Sequence, residues 1–104
     1  MLTLKIKDDY VVTIYTNGDK YWHQNNKRHR SDGPAIIYAD GTKFWYQYGN
    51  LHREDGPAID RANGTKLWYQ YGRLHRNNGP AVEYSNGHRE WYQNDKYQVT
   101  SPER

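Results

Sequence analysis

The chain has 104 residues, a formal net charge of +3 and no cysteine. This length fits a single domain, and the lack of cysteine excludes disulfide bonds and thiol chemistry. Aliphatic residues are scarce, but aromatic residues make up 15% of the chain, and each aromatic side chain can bury about 150–250 Å². The composition therefore predicts an ordered, thin protein and disfavours a disordered chain.

Charge and hydropathy also limit the expected surroundings of the protein. Acidic and basic residues are interspersed, so the positive balance permits a polyanionic partner without requiring one. No apolar run is long enough to span a bilayer. Met1 to Lys7 alternate between apolar and polar residues as a strand does, unlike a signal peptide. We therefore expect a cytoplasmic protein with no membrane span.

A strict internal repeat organises most of the chain. The four tryptophans are each 23 residues apart, and the same period relates four Asx-Gly pairs, three Gly-Pro-Ala motifs and three His-Arg pairs. A period of this length is typical of repeat proteins. Repeat proteins usually present an extended surface, so the pattern favours a binding function over a catalytic pocket.

In chain order, the sequence divides into three parts. Residues 1–16 alternate Leu2, Leu4 and Ile6 before a return strand, which predicts a capping hairpin. Residues 17–97 hold four units of the 23-residue period, the last of them incomplete, and residues 98–104 form a polar tail. The expected fold is all-β, an elongated antiparallel meander of β-hairpin repeats in a sheet of about eight to ten strands.

Two turns punctuate each unit. The first is an Asx-Gly pair such as Asn63-Gly64, which we assign to a two-residue type I′ hairpin turn. The second follows seven to ten residues later, for example at Tyr71-Gly72. A short strand with His-Arg then leads to a break at Gly-Pro, because proline cannot donate to a strand ladder.

The type I′ assignment fixes a strand register and two faces. It places Ile59 opposite Trp68 and Glu83 opposite Glu90, and it sets a β-branched residue against every tryptophan. Aromatic and β-branched residues form favourable cross-strand pairs. The tryptophan side repeats from unit to unit, so we assign it to the core. The other side varies, so we assign it to a partner or to solvent.

The runs from Gly41 to Ala58 and from Gly64 to Ala81 carry a family resemblance. Their glycine-punctuated hairpins and 23-residue period resemble MORN repeats, and more closely the divergent MORN-variant repeats of small phage and bacterial proteins. The resemblance covers about residues 17–97. It implies a row of β-hairpins in an elongated, twisted sheet and a non-catalytic role in protein contact, sometimes in anionic-lipid binding or self-association.

Two sets of polar residues raise the questions of metal binding and catalysis. His29, His52 and His75 recur, but units advance by roughly 10 Å and zinc needs its ligands within about 2.3 Å of one ion. We therefore expect a structural hydrogen-bonding role near the Gly-Pro break, with no metal and no cofactor. Glu83 and Glu90 resemble an acid–base pair, but no nucleophile or phosphate loop accompanies them, so we expect no catalytic residues and no enzyme activity.

The basic residues carry the main alternative to protein binding. Basic groups interleaved with aromatic ones can hold nucleic acid or a small anionic ligand. Here they form two ladders, Lys20, Lys43, Lys66 and Arg89, and Arg30, Arg53 and Arg76. Against this interpretation, acidic residues are scattered among them, and the register sets Lys43 over Tyr38 and Arg89 over Tyr84 as cation–π pairs.

The function that the sequence favours is a non-enzymatic protein-binding module. The varying side offers an apolar strip and an acidic strip, and the predicted partner-binding residues are Tyr21, Ile37, Phe44, Leu67, Asp60, Glu83 and Glu90. The resemblance to phage proteins suggests a narrower hypothesis, an anti-defence inhibitor that occupies the surface of a host factor. A single-layer sheet also leaves its edges open, so we expect that two chains can pair as a homodimer.

Overall fold

The computed structural model describes residues 1–7 and 9–98, with the side chain of Lys7 left out. The polar tail predicted for residues 98–104 therefore lies, from residue 99 onward, outside the described residues. Within the described ranges the protein is all-β, with fifteen short strands and no helix. The predicted all-β hairpin-repeat fold is confirmed.

Most strands contain only two residues, and they follow one another as hairpins. In chain order they are β1 (Leu2–Lys7), β2 (Tyr10–Ile14), β3 (Lys20–Gln24), β4 (Lys27–Arg28), β5 (Ile36–Ile37), β6 (Lys43–Phe44), β7 (Tyr46–Gln47), β8 (Asn50–Leu51), β9 (Ile59–Asp60), β10 (Lys66–Leu67), β11 (Tyr69–Gln70), β12 (Arg73–Leu74), β13 (Val82–Glu83), β14 (Arg89–Gln93) and β15 (Lys96–Gln98). The strands outnumber the predicted eight to ten because the long strand of each middle unit is interrupted at its tryptophan. At Trp45, the backbone N–H donates to the Ala58 carbonyl of the next segment at 2.7 Å.

One large antiparallel sheet runs along the molecule. Ten strands lie across it in the order β1-β2-β3-β5-β6-β9-β10-β13-β14-β15, and β4 is attached to β3. The hairpins β7-β8 and β11-β12 form two small separate sheets. The molecule measures 50 × 26 × 17 Å, with a radius of gyration of 15.2 Å. A compact domain of this length has a radius near 13 Å, so the chain forms a thin, elongated array.

The Asx-Gly turns differ from the predicted type I′ geometry. The Gly64 N–H donates to the Arg61 carbonyl at 2.9 Å, and the Arg61 N–H donates to the Thr65 carbonyl at 2.9 Å. These two bonds enclose a three-residue loop. Within the Asx-Gly pair only Gly64 takes a positive φ, +97°, while the Asn63 Oδ1 accepts the Thr65 N–H at 2.9 Å. The turn is therefore type I followed by a glycine bulge, closed by the asparagine side chain.

The extra loop residue shifts the predicted register by one position. Ile59 pairs with Leu67, and Asp60 pairs with Lys66. The prediction that Trp68 lies opposite Ile59 is therefore wrong. A one-residue shift moves a residue's partners to the other side of the sheet, so Ile59 and Trp68 lie on opposite sides.

The same shift separates the two glutamates of the last hairpin. Glu83 pairs with Arg89, and Val82 pairs with Glu90. The predicted Glu83–Glu90 pair is therefore wrong. Opposite charges now face each other at Glu83 and Arg89, which is the favourable arrangement across strands.

Type I′ geometry occurs instead at the second turn of each unit. Tyr71 and Gly72 have φ of +53° and +80°, and the flanking Gln70 and Arg73 pair directly. Both central residues also have positive φ in the equivalent turns, Asn25-Asn26, Tyr48-Gly49 and Asn94-Asp95. A left-handed conformation costs a residue such as tyrosine roughly 1–2 kcal/mol, so contacts around these tyrosines must offset that cost.

Cross-strand pairing defines two faces of the sheet. One row holds Thr13, Tyr21, Ile36, Phe44, Ile59, Leu67, Val82 and Glu90. We call its side the aromatic face, which by strand alternation also carries Tyr15, Tyr38, Tyr46, Tyr69, Tyr84 and Tyr92. The neighbouring row points the other way and holds Ile14, Lys20, Ile37, Lys43, Asp60, Lys66, Glu83 and Arg89. We call its side the tryptophan face, because each of the four tryptophans stands two residues after a member of this row and therefore points to the same side.

The most buried residues lie at the centre of each unit. The alanines of the three Gly-Pro-Ala motifs, Ala35, Ala58 and Ala81, have no exposed surface. The adjacent β-branched residues are nearly as buried, namely Ile36, Ile59 and Val82. The tryptophans, which we expected to form the core, are only half buried. The core is therefore a line of small and β-branched residues repeated along the array.

Candidate functional site

The tryptophan face is covered by the loops that carry His-Arg and Gly-Pro. The guanidinium Cζ atoms of Arg30, Arg53 and Arg76 lie 4.0, 3.8 and 3.9 Å from the ring centroids of Trp22, Trp45 and Trp68. Such cation–π contacts are worth about 0.5–1 kcal/mol at exposed sites. The three arginines predicted as an anion-binding ladder are therefore engaged in stacking on tryptophan.

The residues just after Arg53 hold its side chain over the tryptophan. The Arg53 Nε donates to Asp55 at 3.0 Å, and its Nη1 donates to the Pro57 carbonyl at 3.1 Å. A Cβ atom on Gly56 would lie 2.8 Å from the Arg53 Cζ. A side chain at this position would displace the guanidinium, so glycine allows Arg53 to pack closely against the loop.

The histidines link each unit to the second turn of the next. The Nδ1 atoms of His29, His52 and His75 accept the backbone N–H groups of Tyr48, Tyr71 and Asn94 at 3.0, 2.9 and 3.1 Å. The His29 and Tyr48 ring centroids are 4.3 Å apart. Burial lowers the pKa of His29, which favours the neutral acceptor form. The histidines thus contact the following turn, and the Nε2 atoms of His52 and His75 also lie within hydrogen-bond distance of Glu54 and Asn77, close to the Gly-Pro break where we predicted a structural role.

A groove of about 900 Å³ lies on the tryptophan face between two successive loops. Its aromatic lining is Trp45, Tyr48 and Tyr71, and the two tyrosines are 66% and 74% exposed. Its charged lining consists of Arg30, Asp32, Arg53, Glu54 and Asp55. Both guanidinium groups are already paired with carboxylates, at 2.9 Å to Asp32 and 3.0 Å to Asp55. The groove therefore suits a polyanion poorly.

The second basic ladder is also partly neutralised by neighbours. The Lys66 Nζ lies 3.4 Å from Asp60. Lys43 lies on the tryptophan face, so its predicted stacking on Tyr38, which lies on the aromatic face, is wrong. For the same reason Arg89 does not stack on Tyr84. The remaining member, Lys20, is exposed on this face, and Asp60 and Glu83 separate the other three cations of the row from one another.

A continuous run of ring contacts crosses the aromatic face. The centroid distances are 5.4 Å from Tyr15 to Tyr21, 6.0 Å from Tyr21 to Tyr38, 5.7 Å from Tyr38 to Phe44 and 6.5 Å from Phe44 to Tyr46. The first three are edge-to-face, the arrangement that aromatic rings prefer. Burial raises the pKa of Tyr21 above its ordinary value, so the phenol stays neutral at physiological pH.

Cations and a carboxylate edge this aromatic face. The guanidinium of Arg28 lies 4.8 Å from the Tyr21 centroid, and that of Arg61 lies 5.9 Å from the Phe44 centroid. In the last unit Glu90 replaces the central aromatic residue, and the Tyr92 hydroxyl donates to its Oε1 at 3.4 Å. The face thus changes from apolar to acidic along the array.

The structure divides the predicted partner-binding residues between the two faces. Tyr21, Phe44, Leu67 and Glu90 lie together in one row of the aromatic face. Ile37, Asp60 and Glu83 lie on the tryptophan face, where Asp60 pairs with Lys66 and Glu83 lies 3.2 Å from Arg76. The prediction of one shared strip is wrong because it rested on the two-residue turn, and the acidic strip is already paired within the chain.

Sequence reasoning missed most of the aromatic face. Tyr15, Tyr38, Tyr46, Tyr69, Tyr84 and Tyr92 were not predicted as site residues. The sequence spacing did carry this information. Each of these tyrosines stands two residues after Phe44, Leu67 or Glu90, or after a residue that pairs with their row from the neighbouring strand. Alternation would have grouped them correctly once the three-residue loop was known.

Comparisons of the chain with models of protein families, with curated proteins and with solved structures find no match. Among the described residues, no helix is long and apolar enough to cross a membrane. In the same residues, no group of three histidine, cysteine, aspartate or glutamate side chains could hold a metal ion. The geometry of the two faces is therefore the basis for assigning a function.

Proposed function

We propose that this protein is a non-enzymatic repeat module of the MORN-variant type that binds another protein through its aromatic face. The observation that supports this is the unbroken run of rings from Tyr15 to Tyr46 on one side of the sheet. Aromatic residues are enriched at protein interfaces because they bring large contact areas with few rotatable bonds. Two tyrosines at the rim of the aromatic face, Tyr15 and Tyr84, are 42% and 40% exposed.

The composition of the face describes the partner. The first two units offer neutral rings, which suit an apolar surface with hydrogen-bond acceptors for the tyrosine hydroxyls. The last unit offers Glu90, which suits a basic or hydrogen-bond-donating group. A partner that contacts the whole length of this face therefore has an apolar patch beside a basic one. Together the two patches span about 30 Å, because the face extends over three repeats of roughly 10 Å each.

The central test is the substitution Phe44→Asp. It places a carboxylate among Tyr38, Tyr46 and their neighbours, where a bound partner would have to desolvate it. We expect capture of the partner from a cell lysate to fall at least tenfold. The measurement is recovery on the immobilised protein with identification by mass spectrometry, after nuclease treatment and a high-salt wash.

The matched control is Lys43→Asp, the adjacent residue on the opposite face. It is expected to capture the partner as the wild type does, and circular dichroism should show both variants folded. Wild-type capture by Phe44→Asp would rule out the aromatic face as the binding site. Binding that disappears on nuclease treatment and falls steeply with salt would instead support nucleic-acid binding through the basic ladders.

A narrower proposal follows from the resemblance to phage proteins. We propose that the bound partner is a host factor and that the protein inhibits it by covering its surface. Of the three carboxylates expected to make an acidic contact, only Glu90 lies on the aromatic face, where it is 3.3 Å from His88, and Asp60 and Glu83 lie on the other side. The inhibitor hypothesis therefore depends on the aromatic contact rather than on charge.

A further inference from the structure

Strand β1 forms one edge of the large sheet. It pairs with β2 in regular register from Leu2 to Lys5, and a bulge lies between Lys5 and Lys7. Among the described residues, no strand pairs with its outer edge. An edge strand of this length presents a row of backbone N–H and C=O groups that can pair with another chain.

The side chains of β1 are unusually apolar for a solvent-facing edge. Leu2, Leu4 and Ile6 are 53%, 45% and 54% exposed. Leu2 pairs with Ile14 and Leu4 with Val12, so both leucines lie on the tryptophan face. In the repeats that face is covered by arginine-bearing loops, but β1 lies beyond the first of these loops, and its Leu2, Leu4 and Ile6 side chains stay exposed.

We propose that β1 pairs antiparallel with β1 of a second copy, which joins two sheets end to end through a two-fold axis perpendicular to them. Such pairing keeps each face continuous, so residues that meet must lie on the same face. Four centres on the regular segment satisfy this condition: Leu2, Thr3, Leu4 or Lys5. A centre at Lys5 opposes that lysine to itself, and a centre at Leu2 or Thr3 pairs fewer of the described residues than a centre at Leu4 does.

The centre at Leu4 avoids both disadvantages. On the regular segment Leu4 lies opposite Leu4 of the second copy and Thr3 lies opposite Lys5, and Leu2 lies opposite Ile6 at the bulge. The apolar side chains of the two edges then cover one another, and no like charges face each other directly. Lys5 retains its own contact with Asp9, at 3.9 Å.

The opposite edge of the sheet explains why the assembly stops at two. Strand β15 is the other edge in the sheet order, and it presents Lys96, Tyr97 and Gln98, all exposed. Its polar sequence does not complement β1. Self-pairing of β1 alone is isologous and closes after two copies, whereas pairing of β1 with β15 would extend without limit.

The test is a charge exchange at Leu4. In the pairing centred on Leu4, residue 4 of one copy lies opposite residue 4 of the other. Leu4→Lys and Leu4→Glu therefore each place two like charges opposite one another, and each variant alone should sediment as a monomer at concentrations where the wild type is a dimer. An equimolar mixture of the two variants should restore the dimer, because lysine then lies opposite glutamate. The measurement is analytical ultracentrifugation over a concentration series, with circular dichroism to verify the fold of each variant.

Tyr97→Lys on β15 is the matched control and should dimerise as the wild type does. A wild type that is monomeric throughout the series would overturn the proposal. Dimers formed by either Leu4 variant alone, or a mixture that stays monomeric, would overturn the pairing centred on Leu4. The outcome is independent of partner capture, since Leu4 lies outside the aromatic face.

Discussion

At the scale of single residues, Tyr48 and Tyr71 show how an unfavourable backbone conformation is retained. Both adopt left-handed φ angles, +50° and +53°, which cost such residues roughly 1–2 kcal/mol. The N–H of each donates to a histidine Nδ1 of the preceding unit, and each ring lies against the same histidine. The two contacts offset the strain, so histidine and tyrosine act as one link between units.

This link makes stability depend on pH through His29. Burial lowers the pKa of His29 below its ordinary value of 6.5. As the pH falls, His29 is therefore protonated in the unfolded chain before it is protonated in the folded protein. The stabilisation is therefore fully present above pH 6.5 and is lost as the pH falls from there through the lower pKa of the folded state. We expect urea unfolding to show this loss as the difference between the wild type and His29→Asn.

The variant His29→Asn is the appropriate reference because an amide oxygen can still accept the Tyr48 N–H but does not titrate in this range. Titration of all other groups is common to both proteins and cancels in the difference. A difference in unfolding free energy that stays constant from neutral pH to pH 5 would show that His29 does not contribute to acid sensitivity.

At the scale of the elements, the first turns of successive units stack as a column. The Thr42 Oγ1 accepts the Ala62 N–H at 3.0 Å, and the Thr65 Oγ1 accepts the Ser85 N–H at 3.3 Å. The Asp19 Oδ1 does the same for the Ala39 N–H at 2.7 Å. One acceptor side chain per turn thus connects each hairpin to the next, and the threonines are buried.

Removal of one such acceptor should loosen one junction only. Thr42→Val keeps the side-chain shape but leaves the Ala62 N–H without its partner, at an expected cost of about 1 kcal/mol. Hydrogen exchange should quicken at the Ala62 amide and stay unchanged at the Ser85 amide, which serves as an internal control. Unchanged exchange at Ala62 would mean that this bond does not hold the turns together.

Sequence patterns predicted the hairpins better than the register of their strands. The 23-residue period and the alternation of Leu2, Leu4 and Ile6 identified the hairpins, because these signals depend on spacing alone. The turn type was beyond reach, since Asn63-Gly64 suits both a type I′ turn and a type I turn with a glycine bulge. The assignment of faces depended on that choice, so Ile37, Asp60 and Glu83 were placed on the same side as Phe44, whereas they lie on the opposite one.

The arginine–tryptophan stacks could not be predicted for a related reason. Arg53 reaches Trp45 only because the loop after His52 folds back over the sheet, and no spacing rule specifies the path of such a loop. The position of Gly56 was a usable clue in hindsight. A glycine without a left-handed φ signals a close approach by another group, here the Arg53 guanidinium.

At the scale of the whole molecule, units contact their neighbours and little else. In the part of the chain that the structure describes, the elongated shape, 50 Å by 17 Å in its longest and shortest extents, leaves no centre where all units meet. Stability in such arrays is close to a sum of unit and junction contributions. The number of units is therefore a variable that the fold itself does not fix.

Duplication of residues 41–63 tests this independence. The copy begins at Gly41 and ends at Asn63, so the new junction reproduces the native Asn-Gly turn. We expect a folded chain whose maximum dimension by small-angle X-ray scattering exceeds that of the wild type by about 10 Å, the advance of two strands. A glycine-serine insert of equal length should give no ordered extension. A duplicated chain that is compact or unfolded would contradict an array of independent units.

The order of strands has a mechanical consequence as well. The strands lie across the molecule, and the first and last strands of the sheet are its two ends. A force applied between β1 and β15 therefore acts along the interstrand hydrogen bonds and loads all the ladders in series. Two-residue strands offer few bonds to each ladder, so single ladders open at low force. Pulled lengthwise, this protein is a weak and extensible tether.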